Sequence, residues 1–246
     1  QMIRTIFFKE LKILFVSPLS WIMLGLMQII FAWIFFSRVD YFLSIQFQLG
    51  RMISPPGLTE IVNIPVFGVC SIVLLVITPL LTMRLFSEEK KNQTLPLLFS
   101  SPISIFEITL GKFLSVMFFA SLFPILIFFM TSSLIFGGNL DLGLMMSCVI
   151  GILLLSSCLL SIGIFISSLT SSPIVAAMGG FGINLILWLI NIASEDPESF
   201  IYKVSLINHF ENFLDGTVYV RDILYFALIT FFMLLLTIKK INNERF

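Results

Sequence analysis

The sequence predicts an all-α, polytopic membrane protein with six transmembrane helices, and three observations carry that prediction. First, of 246 residues, 58% are hydrophobic and 11% charged, and the mean hydropathy is +1.08. A soluble domain carries about 25% charged residues, so this chain has too little polar surface to cover a globule in water. Second, six stretches hold the roughly 20 mostly apolar residues that a bilayer crossing needs. Third, the basic residues divide unequally between the two sides that those stretches define. Arg4, Lys9, Lys12, Arg84, Lys90, Lys91, Lys112, Lys239, Lys240 and Arg245 fall on one side, ten of the 14 Lys and Arg. Positive charge concentrates on the cytoplasmic side of membrane proteins, so both termini are expected to be cytoplasmic.

Residues 2–17 predict an amphipathic helix lying on the membrane. At about 100° per residue, Ile3, Ile6, Phe7, Leu11, Ile13, Leu14 and Phe15 share one broad face. Thr5, Lys9 and Lys12 gather opposite, as on an interfacial helix with its bases at the headgroups. Glu10 falls inside the apolar arc, either as a snorkelling carboxylate or as a contact to a partner domain. The charges are spread through the segment and no small-residue cleavage site follows, so it does not read as a secretory signal. Ser17-Pro18 then breaks the helix and turns the chain into the first span.

The spans run at about 19–37, 61–83, 108–136, 142–169, 173–193 and 220–238, all within a single transmembrane domain covering 1–246. Residues 38–60 form an outer loop, 137–141 a tight outer turn and 169–173 a tight inner turn. Residues 84–107 form the large inner loop, and 194–219 an outer segment of alternating acids and apolar residues that suits a re-entrant or surface helix.

The inner loop is the most informative stretch. A charged run, Glu88 to Lys91, precedes a short apolar piece, Leu95 to Phe99. Leu95, Leu97, Leu98 and Phe99 stand on the cytoplasmic side and need somewhere to bury. They pack either into a groove of another protein or beneath this chain's own helices.

The inventory excludes several chemistries. Cys70, Cys148 and Cys158 lie in apolar stretches and read as small buried residues. A lone histidine, His209, sits in a polar connection and reads as a surface residue. No metal site assembles from this set, and no nucleophile–base pair stands at membrane depth. The phosphate-binding pattern Gly-x-x-x-x-Gly-Lys-Ser/Thr is absent, so catalysis is not expected of this chain. Secondary carriers place ionisable groups inside their spans. Here the span interiors hold Gln28, Asn184 and Asn191 as their bulkiest polar residues, so coupling energy has to come from elsewhere.

Arg84, Phe86, Glu88-Glu89-Lys90, Thr94-Leu95, Leu97-Leu98, Pro102 and Leu110-Gly111-Lys112 resemble the inner loop of type-2 ABC permeases. Lys9-Glu10 with Ser17-Pro18 resembles that family's elbow helix, and residues 162–173 its turn between the fourth and fifth spans. The tail, with His209-Phe210, Gly216 and Arg221-Asp222, resembles the gliding-motility-associated branch. The resemblance implies a six-span permease subunit with an N-terminal elbow helix and a cytoplasmic coupling helix, in the inner membrane of a bacterium. It implies that Glu88, Glu89, Lys90, Thr94, Leu95, Leu97, Leu98, Phe99 and Pro102 meet a separate ABC ATPase, which holds the ATP and Mg. Lys9, Glu10 and Lys12 would belong to the elbow helix. The other implied partners are a second permease copy or sister permease, membrane lipid and an accessory outer subunit; no nucleic acid is expected. Gln93 stands where the family usually has Gly and Pro96 where it has an acid, which places the start of the coupling helix near Pro96. Ala176-x-x-x-Gly180 and Ser157-x-x-x-Ser161 offer small residues for close packing across a dimer seam. The implied activity is export of an amphipathic, lipid-like or polymeric cargo. The competing readings are a non-transporting membrane anchor or assembly subunit and, further off, a secondary transporter.

Overall fold

Apolar runs bounded by Pro, Gly, Ser and Asp dictate a helical chain, and among the described residues there is no strand. The computed structural model describes residues 2–49, 56–95, 103–136, 140–190 and 205–244. We number its helices in chain order. They are α1 (Met2–Val16), α2 (Pro18–Leu49), α3 (Leu58–Thr82), α4 (Ser87–Lys91), α5 (Ile105–Ser132), α6 (Leu142–Leu169), α7 (Pro173–Leu189), α8 (Leu206–Leu214) and α9 (Val220–Asn243). A 3-10 turn, Ser133–Phe136, follows α5.

Helix ends follow from the local sequence. Ser104 caps α5 in a reciprocal pair with Glu107: the Glu107 N–H donates to Ser104 Oγ at 3.2 Å, and the Ser104 N–H to Glu107 Oε2 at 3.2 Å. Asp141 Oδ1 accepts from the Gly143 and Leu144 N–H groups at 2.8 and 3.1 Å, starting α6. Pro173 sits in the first turn of α7, where its missing N–H costs nothing.

Among the described residues, five helices are long and apolar enough to cross a membrane: α2, α3, α5, α6 and α9. The sequence reading ended the first span near Ser37. The helix instead continues through Arg38 and Asp40 to Leu49, because charged side chains end an apolar run without interrupting the backbone hydrogen bonds of a helix. Its 32 residues make a rod of about 48 Å, longer than an about 30 Å hydrocarbon core. The fifth predicted span, 173–193, is represented by α7, which at 17 residues is a shorter apolar helix; residues 191–193 lie outside the described ones.

Helix α6 is the hub of the bundle, packed on α3, α5, α7, α8 and α9. Close approach needs small residues. A Cβ added at Gly163 of α6 would stand 2.2 Å from Thr82 Oγ1, and one at Gly151 would stand 2.6 Å from Phe213 Cβ of α8. The core is aromatic and aliphatic, with Phe31, Phe67, Phe119, Phe123, Phe213 and Phe226 almost fully buried. Outward faces are apolar too: Trp33 and Phe47 of α2 are 77% and 91% exposed, as suits a surface that meets lipid.

The bundle has two polar ends. At one, α1, α4, the start of α5, the end of α6 and the end of α9 meet. At the other, the Asp141 N–H donates to Thr59 Oγ1 at 2.9 Å, Ser147 Oγ donates to the Phe213 carbonyl at 2.8 Å, and α8 packs against the start of α9.

Candidate functional site

The first end of the bundle is organised by Lys112, two turns into α5. Its side chain is 3% exposed. The ammonium lies 3.1 Å from Glu10 Oε1 of α1 and 2.7 Å from Glu89 Oε1 of α4. It also donates to the Leu85 carbonyl at 2.7 Å and stands 5.2 Å above the Phe86 ring. One cation therefore holds three segments that are far apart in sequence. A buried ammonium is costly unless paired, and here each of its three hydrogens has an acceptor.

This pairing replaces both sequence readings of Glu10. The carboxylate neither snorkels nor is free to meet a partner domain. It is buried at 7% exposure because α1 packs along α5, where Gly111 lets the backbones approach. A Cβ at Gly111 would meet Ile6 Cγ2 at 2.8 Å and the Ile3 carbonyl oxygen at 3.2 Å.

Helix α4 is anchored a second time, by Lys90. Its ammonium donates to the Ser168 carbonyl at the end of α6 and to Glu244 Oε1 at 2.6 Å, beside the C-terminus. Ser167 Oγ accepts from the Phe86 and Ser87 N–H groups at 3.2 Å each and so caps α4. Ser87 Oγ donates to the Met83 carbonyl. The helix then closes with the Thr94 N–H on the Glu89 carbonyl at 3.0 Å and the Gln93 N–H on the Lys90 carbonyl at 3.2 Å. That closure needs a left-handed residue, and Gln93 supplies it at φ 54°. Glycine, which the resembling family usually has at this position, adopts such a positive φ at least cost.

The predicted coupling residues thus divide. Glu89 and Lys90 point into the chain; Glu88, Lys91 and Thr94 are exposed, Glu88 and Thr94 at the rim of a cavity beside α1. Leu95 is buried at 7% exposure beneath the chain's own helices. Leu97, Leu98, Phe99 and Pro102, and the helix expected from about Pro96, lie outside the described residues. On α1, Lys9 is largely exposed and lies 3.7 Å from Glu10, while Lys12 is exposed.

The small-residue pairs do not mark an exposed seam. Ala176 is 2% exposed, and Gly180 packs on Pro79 of α3 and against Gly163 of α6. Ser161 is buried, and Ser157 Oγ lies 3.2 Å from Thr230 Oγ1 of α9. Their close approaches are spent on helices of the same chain. The hydroxyls of Thr131, Ser132 and Ser133 are taken by carbonyls of their own helix, at 3.0, 2.7 and 2.7 Å.

At the opposite end, His209 is not a surface residue. It is 4% exposed, with Nδ1 2.7 Å from Asp222 Oδ1, and its ring stacks on Tyr225 with centroids 4.0 Å apart. Asn212 Nδ2 donates to Asp222 Oδ2 at 2.7 Å. Asp222 is fully buried and also accepts from Arg221 Nε at 3.3 Å, so α8 is fastened to α9 by a polar cluster that reaches the surface through the exposed Arg221. Lys112 and Asp222 are ionisable groups buried in end turns of long helices, which the reading of empty span interiors missed. His209 and Asp222 lie 13 apart across the break at Gly216, a spacing with no helical signal. Asn184, by contrast, is the buried polar residue expected, donating to Thr78 Oγ1 at 3.2 Å. All three cysteines are free and buried.

A bundle of long apolar helices, charged at its two ends and threaded by no metal-binding cluster among the described residues, defines a multi-pass membrane protein. Residues 55–239 match the family model described as ABC-2 family transporter protein. The chain belongs to that family, which makes it a permease subunit of an ABC transporter. Membership implies partnering with an ABC ATPase subunit and a second permease in the assembly. No curated protein matches the chain.

Proposed function

We propose that the chain is the membrane-spanning subunit of an ATP-driven exporter, energised through the turn formed by residues 84–95. A separate nucleotide-binding subunit hydrolyses the ATP. The observation that carries this reading is the double anchoring of α4. Glu89 ties it through Lys112 to α1 and α5, and Lys90 ties it to the end of α6 and to Glu244. Glu88, Lys91 and Thr94 of the same turn are exposed to a partner, Glu88 and Thr94 at the rim of the cavity beside α1. A push on that turn reaches three bundle helices and the α1 elbow together.

In this reading the Lys112 end is cytoplasmic and α7 makes a sixth crossing. Its support is connectivity. Pro173 follows directly from α6 at the Lys112 end, whereas α8 packs near the start of α6 at the other. The chain must travel the bundle's length between them. Two such subunits, identical copies or sisters, line a path whose walls are rich in phenylalanine and poor in charge. That lining suits an amphipathic, lipid-like or polymeric cargo.

The test is purification from the native host in mild detergent, with masses and peptides of what accompanies the chain. A stoichiometric ATPase is expected, and Glu88→Arg with Lys91→Glu is expected to lower its retention at least tenfold while Thr217→Ala leaves it unchanged. A stable assembly without an ATPase would overturn the exporter reading and favour a membrane anchor.

A further inference from the structure

A cavity of about 710 Å³ opens at the Lys112 end, between α1, the start of α2, the end of α3 and the α4 turn. Its size falls within the about 300–1,000 Å³ of small-molecule sites. One part of the wall is aliphatic: Leu14, Leu19, Met23, Leu80 and Leu81. The other is charged and balanced, with Lys9, Arg84 and Lys112 against Glu10, Glu88 and Glu89. Lys112 is saturated by its own acceptors, but Glu89 is not. Its Oε1 takes the lysine, while its Oε2 is buried with no hydrogen-bond partner among the described residues. That oxygen has no surface open to the cavity, whereas the Glu88 carboxylate lines the same wall, is exposed and has no ion pair among the described residues. Arg84 is exposed on the same rim, with its five donors unspent on any acid in the cavity wall.

We propose that this cavity holds one resident phospholipid with a primary-amine headgroup. Its ammonium donates to the Glu88 carboxylate, its phosphate meets Arg84 and Lys9, and an acyl chain lies along the aliphatic wall. Four features select this class. The wall has no net charge, so a zwitterion fits it better than an anion. An amine with N–H groups can donate to the Glu88 carboxylate on the wall, whereas a quaternary ammonium cannot donate. Phosphate is the group that a guanidinium beside an ammonium recognises. The interfacial character of α1 puts the opening at headgroup depth, where such a lipid is at hand. The proposal rests on α1 lying at the membrane surface and not on the ATPase reading.

Native mass spectrometry of the full chain, delipidated in detergent and titrated with single lipids, tests it. One phosphatidylethanolamine is expected to survive activation that strips phosphatidylglycerol and phosphatidylcholine, with at least tenfold preference over each. Ser20→Trp, which fills the cavity from α2, is expected to abolish that adduct, and Arg84→Ala to weaken it about tenfold. Circular dichroism of each variant reports whether the helices persist, so that a lost adduct counts only in a folded chain; Arg84 is exposed, and its replacement leaves the packing alone. Equal retention of the three lipids, or an adduct indifferent to both substitutions, would overturn the proposal. Either result stands whether or not an ATPase accompanies the chain.

Discussion

Lys112 shows how much one side chain can hold. It is 3% exposed, and two carboxylates and a carbonyl depend on it. Removing one member of a buried ion pair costs about 3–5 kcal/mol, because the remaining charge is left without compensation. Lys112→Met strands two carboxylates, so we expect it to lower the thermal midpoint in detergent more than Glu10→Gln does. Glu10→Gln in the Lys112→Met background should then cost less than in the native chain, since it removes a stranded charge. Additive losses would show that the three groups do not act together. Gln93 carries a smaller burden. Holding a non-glycine residue at φ 54° costs about 1–2 kcal/mol, of which glycine's extra chain entropy returns part. Gln93→Gly should therefore raise the midpoint, by about 0.5–1 kcal/mol in stability.

Elements were legible in the sequence where a single property decided them. The limits of α6 coincide with the predicted 142–169, because Asp141 and the Thr170–Pro173 turn bound an unbroken apolar run. The far end of α2 is not legible, because Arg38 and Asp40 end an apolar run without ending a helix, and breakers are no guide either, since α3 continues through Pro65 and Pro79. The Glu10–Lys112 pair was illegible for another reason. Its members are 102 residues apart, and each alone reads as an interfacial charge. What the sequence did contain was Gly111 beside Lys112, the small residue that brings α1 within reach. Gly111→Ala places a Cβ against Ile6 Cβ at 2.9 Å and the Ile3 carbonyl, so α1 must shift. Overpacking of this kind costs about 1–3 kcal/mol. We expect Gly111→Ala to destabilise the chain and Ile6→Ala, added to it, to recover part of the loss. An unchanged midpoint for Gly111→Ala, or no recovery in the double variant, would show that the clash with Ile6 does not limit the packing of α1 on α5.

At the scale of the whole molecule, the parity of crossings links the fold to the way a partner could drive it. Glu10 near the N-terminus and Glu244 near the C-terminus both reach α4, through Lys112 and Lys90, so the two termini share one end of the bundle. Five long helices alone would leave them on opposite sides; a crossing by α7 restores the even count. At 17 residues α7 spans about 25 Å, short of an about 30 Å core, and such a helix is accommodated by local thinning or by residues flanking it. Single cysteines read the outcome, because Cys70, Cys148 and Cys158 are buried and should react slowly. Ser44 at the far end of α2 and Thr217 before α9 are exposed, as is Thr94 on the α4 turn. With a membrane-impermeant maleimide on intact cells, Ser44→Cys and Thr217→Cys should label, whereas Thr94→Cys should label only in inside-out vesicles. If α7 does not cross, Thr217→Cys will share the behaviour of Thr94→Cys. The His209–Asp222 clamp between α8 and α9 would then lie on the same side of the membrane as the α4 turn.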